Sequence, residues 1–156
     1  MKRGVLEWTA AALVLAALTL AMFFPLVAHL VHGGAPRWLE GDLAEEYWPD
    51  LVVLCRGLAH HHIPRWLPFE HGGTPFYADP QAGVYYPLNH AICAVAGPSP
   101  SIHWADARVV LHFFLGGACM TLFLSREDVK LPAATFGGAL FEMSPYLRHN
   151  WELNLT

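Results

Sequence analysis

From Trp8 to Pro36 the chain contains no Asp, Glu, Lys or Arg. The apolar heart of this stretch runs from Ala10 to Ala28, and Thr19 is its sole hydroxyl. A helix needs about 20 residues to cross the hydrocarbon core of a bilayer, and this run supplies them. Inside lipid every backbone N–H and C=O must be paired within the segment, which predicts a helix in spite of Pro25. Met1-Lys2-Arg3 gives the run a basic start. A cleaved signal peptide begins the same way, but its apolar core is roughly 7–15 residues. This run is longer, and further apolar blocks follow it.

Composition points the same way. A chain of 156 residues is long enough for one soluble domain. Yet 54% of its residues are apolar and 14% charged, where a soluble domain carries roughly 25% charged. Mean hydropathy is +0.32. The apolar residues fall in blocks, as spans do. The net charge of −4 comes without a basic stripe able to follow phosphates, which speaks against a nucleic-acid partner.

Two further blocks complete the pattern. Ile102 to Leu124 is a second spanning candidate, with Asp106 and Arg108 near its first turns, where they can reach the interface. Leu131 begins a third, in which Gly137-Gly138 allow close helix contact and Glu142 sits awkwardly. The expected fold is therefore all-α and integral to a membrane, with two to three transmembrane helices and a structured extracytoplasmic loop carrying interfacial helices. The expected order is span 8–31, outer loop 32–101, span 102–124, cytoplasmic connector 125–130 and third span 131–147, within one incomplete membrane domain over 1–156. Lys2, Arg3, Arg126 and Lys130 mark the cytoplasmic side. The loop, rich in Asp and Glu, then faces out of a bacterial cytoplasmic membrane, and membrane lipid is an expected partner.

Nearly all the candidate chemistry lies between Gly41 and Asn89. Asp42 and Glu45 have the spacing of a capping box. Leu43, Tyr47, Leu51, Leu54 and Leu58 recur as one face of an amphipathic helix, which Pro49 should kink or split. Such a helix is expected to lie in the interface plane. Pro64, Pro68, Gly72, Gly73, Pro75, Pro80, Gly83 and Pro87 then break any regular element, while Trp66, Phe69, Phe76, Tyr77, Tyr85 and Tyr86 argue for order rather than disorder. Leu88 to Ala96 reads as a second interfacial or re-entrant helix. Cys55 and Cys93 read as two unreactive thiols, since nothing in the sequence brings them together. An extracytoplasmic setting leaves a disulfide open to them.

Each candidate has a plain structural reading beside the chemical one. Asp42, Glu46 and Asp50, four apart, are able to place a general base or a metal ligand. Their spacing alone favours a helix cap and a solvated face. His60-His61-His62 lacks the spacing of a zinc site. One of these, or His71, is able to donate to a phosphate oxygen. Gly72-Gly73-Thr74-Pro75-Phe76-Tyr77-Ala78-Asp79-Pro80-Gln81 combines glycines that free backbone N–H groups with aromatic faces suited to a sugar ring. By itself it also fits an interfacial turn. It lacks the Gly-Lys-Ser/Thr of a P-loop, and no Gly-x-Ser-x-Gly elbow occurs.

Two runs, GDLAEEYWP and HGGTPFYADPQAGVYYPLN, follow the first span in order. Together they resemble the first outer loop of the YfhO-like bacterial membrane proteins, which belong with the GT-C class of integral-membrane glycosyltransferases. The shared elements are Gly-Asp after the span, Tyr47-Trp48-Pro49, Gly-Gly-x-Pro, Asp-Pro-Gln and Tyr-Pro-Leu-Asn. The resemblance implies transfer of a sugar from a polyprenyl-phosphate donor to an extracytoplasmic acceptor. It makes Asp42 the first catalytic candidate and Asp79 the second. It implies a sugar platform of Tyr77, Tyr85 and Tyr86, with Gln81 and Asn89 as further substrate contacts. The leaving phosphate would be met by Arg65, by a loop histidine such as His71, or by a divalent cation. That family has many more spans than this chain. The competing expectations are a non-catalytic membrane subunit that binds a glycan or a partner protein, an inactive truncated fragment, and a transporter fragment with Glu142, Asp106 or Arg108 in mid-bilayer.

Overall fold

The computed structural model describes residues 2–24, 43–69 and 72–144. The leading catalytic candidate, Asp42, and the phosphate candidate His71 lie outside them, as does the end of the expected third span. The described residues are all-helical. Five α-helices run Lys2–Met22 (α1), Trp48–Ala59 (α2), Pro87–Ala96 (α3), His103–Arg126 (α4) and Leu131–Glu142 (α5). Among the described residues there is no strand, only a bridge between Leu67 and Thr74. They fall into two compact units. Unit 1 holds 2–24 and 109–144, and unit 2 holds 43–69 and 72–108.

Gly4–Met22, in unit 1, and the whole of α4, whose first residues belong to unit 2, are long and apolar enough to cross a membrane. Only 17% of either spanning window is buried, whereas the core helix of a soluble protein is mostly covered. The helix of the first run begins at Lys2, earlier than the expected 8, and residues 25–31 are outside the described set. The third helix, α5, has twelve residues, about 18 Å at the usual rise, and is too short to span. Met143 is its C-cap. Phe23 and Phe113 meet edge-on with ring centres 5.0 Å apart. The expected close contact at the glycine pair is present. A β-carbon on Gly138 would stand 2.5 Å from the Gly117 carbonyl oxygen of α4 and collide with the Thr121 hydroxyl.

Unit 2 has an ordinary apolar core of Leu51, Leu54, Leu67, Phe76, Ala82, Val84 and Ile92. Pro49 splits the amphipathic stretch as expected. A π-helical turn covers Leu43–Tyr47, and α2 follows with Pro49 in its first turn, where a missing N–H removes no helical bond. Pro87 opens α3 for the same reason. The three consecutive histidines form the exposed end of α2. His60 caps it, His61 takes a left-handed φ of 58°, and the His62 amide donates to the Gly57 carbonyl at 3.0 Å.

Two expectations fail here. Cys55 and Cys93 are not separate thiols but a disulfide joining α2 to α3, with Cα atoms 4.8 Å apart. Asp50 is not on a solvated face, because it is 4% exposed. It lies three residues after Tyr47 and four before Leu54, which puts it on the same helical face as those residues.

Candidate functional site

The turns between Phe76 and Pro87 are fixed from below by Asn89. Its Nδ2 donates to the Gly83 carbonyl at 3.0 Å. Gly83 has φ +59, and a β-carbon there would stand 2.8 Å from that same Nδ2. A left-handed backbone and a close side chain together call for glycine. On the other side of Asn89, Oδ1 accepts from Arg108 Nη1 at 2.9 Å. Tyr86 and Tyr47 lie within electrostatic reach of that guanidinium. Gln81 Nε2 donates to Tyr47 Oη at 3.1 Å, tying the loop back to the start of α2. His90 bonds the Val84 carbonyl at 2.7 Å. Trp48 Nε1 donates to the Pro100 carbonyl at 3.0 Å.

This frame supports a groove of about 380 Å³ lined by Tyr77, Ala78, Asp79, Pro80, Gly83, Val84, Tyr85 and Tyr86. Binding sites for small ligands commonly have volumes of roughly 300–1,000 Å³. The groove gathers four of the predicted site residues, Tyr77, Asp79, Tyr85 and Tyr86, from two separated motifs. All three tyrosines are exposed. Asp79 Oδ1 accepts the Gln81 backbone N–H at 2.8 Å, a local turn that fixes the carboxylate's orientation. The groove can therefore offer flat apolar faces, phenol hydroxyls and one oriented carboxylate to a polar ring.

The other predicted residues divide. Gln81 is exposed beside the groove and engaged with Tyr47. Asn89 is fully buried, so it supports the groove from beneath rather than touching a ligand. Arg65 is exposed and does not line the groove. Asp42 and His71 are outside the described residues. Arg108 and Tyr47 are additions that sequence reasoning missed. Rather than reaching outward to an interface, Arg108 turns in to Asn89. Asp106 is also buried, with its Oδ2 3.6 Å from His103 Nδ1. A signal for Arg108 was present: it is the sole Lys or Arg between Arg65 and Arg126.

Among the described residues no group of three His, Cys, Asp or Glu side chains could hold a metal ion. A larger groove, about 780 Å³, lies in unit 1 between α1 and α5. Its lining is mainly apolar, with Val14, Leu18 and Phe136 prominent, and it gathers none of the predicted site residues.

No protein-family model matches the chain, and no curated protein or solved structure matches it either.

Proposed function

We propose that this chain supplies the first outer loop and flanking helices of a bacterial GT-C-like membrane glycosyltransferase, as its resemblance to the YfhO-like proteins suggests. In this reading it moves a sugar from a polyprenyl-phosphate donor to an acceptor outside the cytoplasm. One observation carries the reading: Tyr77, Asp79, Tyr85 and Tyr86, chosen for sugar binding and catalysis, line a single groove. Tyrosines combine a flat apolar face with a polar tip, which suits a pyranose. The outward placement draws support from the Cys55–Cys93 bond, since disulfides persist in oxidising compartments. It also fits Lys2, Arg3, Arg126 and Lys130, which stand in the sequence at the helix ends not joined to the loop.

In the proposed reaction the acceptor hydroxyl loses its proton to Asp42. Its oxygen attacks the anomeric carbon through an oxocarbenium-like state, of the kind glycosidases stabilise with carboxylates. The bond to the lipid phosphate breaks, and the phosphate leaves with the electron pair. Asp79 and the tyrosines hold the ring. A second reading has one observation in its favour. Asp79 already serves a turn through the Gln81 amide, which suits a subunit that binds a glycan without transferring it.

The deciding assay uses vesicles that contain the full protein and a radiolabelled polyprenyl-phosphate hexose. Transfer is expected from the natural sequence and lost in Asp42→Asn with the protein still folded. Normal transfer by Asp42→Asn removes Asp42 from the mechanism. Donor binding with no transfer by the natural sequence leaves the glycan-binding subunit and ends the enzyme.

A further inference from the structure

Among the described residues, unit 1 buries Thr19, Thr121 and Glu142. Glu142, the last residue of α5, is fully buried and lies about 16 Å along the helix from Leu131. Its carboxyl faces Thr19 of α1 and Gly117 of α4. A β-carbon on Gly117 would stand 2.5 Å from Glu142 Oε2, so the carboxyl occupies the space that the glycine leaves. Thr121, also buried, closes the α4 side, where its hydroxyl donates to the Gly117 carbonyl at 2.9 Å. None of these neighbours carries a charge.

The protons can be counted. The Thr19 hydroxyl is in donor geometry toward Glu142 Oε1. The same Thr19 hydroxyl bonds the Leu15 carbonyl at 3.0 Å. A hydroxyl carries one proton. When it goes to Leu15, the bond to Glu142 needs a proton from the carboxyl itself. Glu142 Oε2 is buried with no hydrogen-bond partner, which a neutral carbonyl oxygen tolerates far better than a charged one. A metal ion is a poorer fit than a proton. The Leu15 and Gly117 carbonyls already accept a threonine hydroxyl, and as helical carbonyls they also accept an i+4 amide. Few oxygens remain to coordinate a cation.

We propose that Glu142 is a proton-binding site in the helix packing of unit 1, a carboxyl held as the neutral acid that donates to Thr19 and clamps α1 to α5. Its ligand is a proton rather than a metal cation. The site is independent of the sugar groove and of the glycosyltransferase reading. Intramembrane carboxyls with a named partner are commonly functional, and this one has its partner in Thr19.

Infrared spectroscopy of the full protein in lipid vesicles tests it. At neutral pH a carboxylic-acid C=O band is expected on the high-frequency side of the amide bands. It should vanish in Glu142→Gln, whose amide can still donate to Thr19, and change frequency in Thr19→Val. If Glu142→Gln does not fold, the Thr19→Val frequency change carries the test. Identical spectra for the natural sequence and the variant that folds would overturn the proposal. So would loss of the band on adding sodium at constant pH, which would mark a cation site.

Discussion

The two units of this chain differ in what they leave exposed. Unit 2 buries Leu51, Leu54, Phe76 and Val84 and shows solvent its tyrosines and its polar turns. Unit 1 buries Thr19, Thr121 and Glu142 and leaves Leu13, Val14, Leu20, Phe123, Phe136 and Leu140 exposed. In water the first arrangement is favourable and the second is costly. In hydrocarbon the preference reverses, because lipid tails solvate leucine as well as a core does, and small residues and interhelical hydrogen bonds drive packing. The difference teaches that burial in this chain cannot be judged by one scale. Among the described residues, unit 1 buries Leu15 and Phe23 beside Thr19, Thr121 and Glu142, and it is its outward face that is apolar.

Substitutions can break or sharpen this contrast. The largest effect is expected from Cys55→Ser. Opening a bridge between residues 38 apart should cost unit 2 about 4 kcal/mol in the chain-entropy account. Thermal melts followed by circular dichroism should show that transition fall while the helical signal of unit 1 persists. A single unshifted melt would contradict the separation. Leu54→Ala, in the core of unit 2, should cost about 3 kcal/mol, while Leu140→Ala, on the exposed face of unit 1, should stay within about 0.5 kcal/mol. Equal losses in detergent would erase the distinction. Gly138→Val should cost about 2 kcal/mol by overpacking against Gly117 and Thr121, measured as a lower melting temperature in micelles. Asn89→Ala should cost about 1.5 kcal/mol for the bonds lost to Gly83 and Arg108, and it should weaken sugar binding by loosening the groove floor. Tyr85→Ala should leave stability within about 0.5 kcal/mol yet lower hexose affinity roughly fivefold, as one stacking face is removed. Unchanged affinity in calorimetry would take Tyr85 out of the groove's function.

Some of this was legible in the sequence because it depends on local order. The long apolar runs, the split at Pro49 and the tight contact at Gly137-Gly138 follow from period, ring chemistry and side-chain size. Tyr77, Asp79, Tyr85 and Tyr86 were named through the resemblance, and they lie along one groove. The disulfide was not legible, since no periodicity connects Cys55 with Cys93 across an irregular loop. Asp50 was misread although its register with Tyr47 and Leu54 was available. Asn89 and Arg108 were hidden for a different reason. A polar side chain that satisfies a turn from beneath looks, in sequence, the same as one that meets a ligand.

The bridge between α2 and α3 also has a bearing on biosynthesis. Both of its cysteines precede α4 in the chain. The covalent closure of the polar unit therefore requires nothing made after Cys93, and a ribosome still translating α4 could already have delivered both thiols to an oxidant. The order of synthesis would then let α2 and α3 be joined before the second long apolar helix, which brings Arg108, has been made.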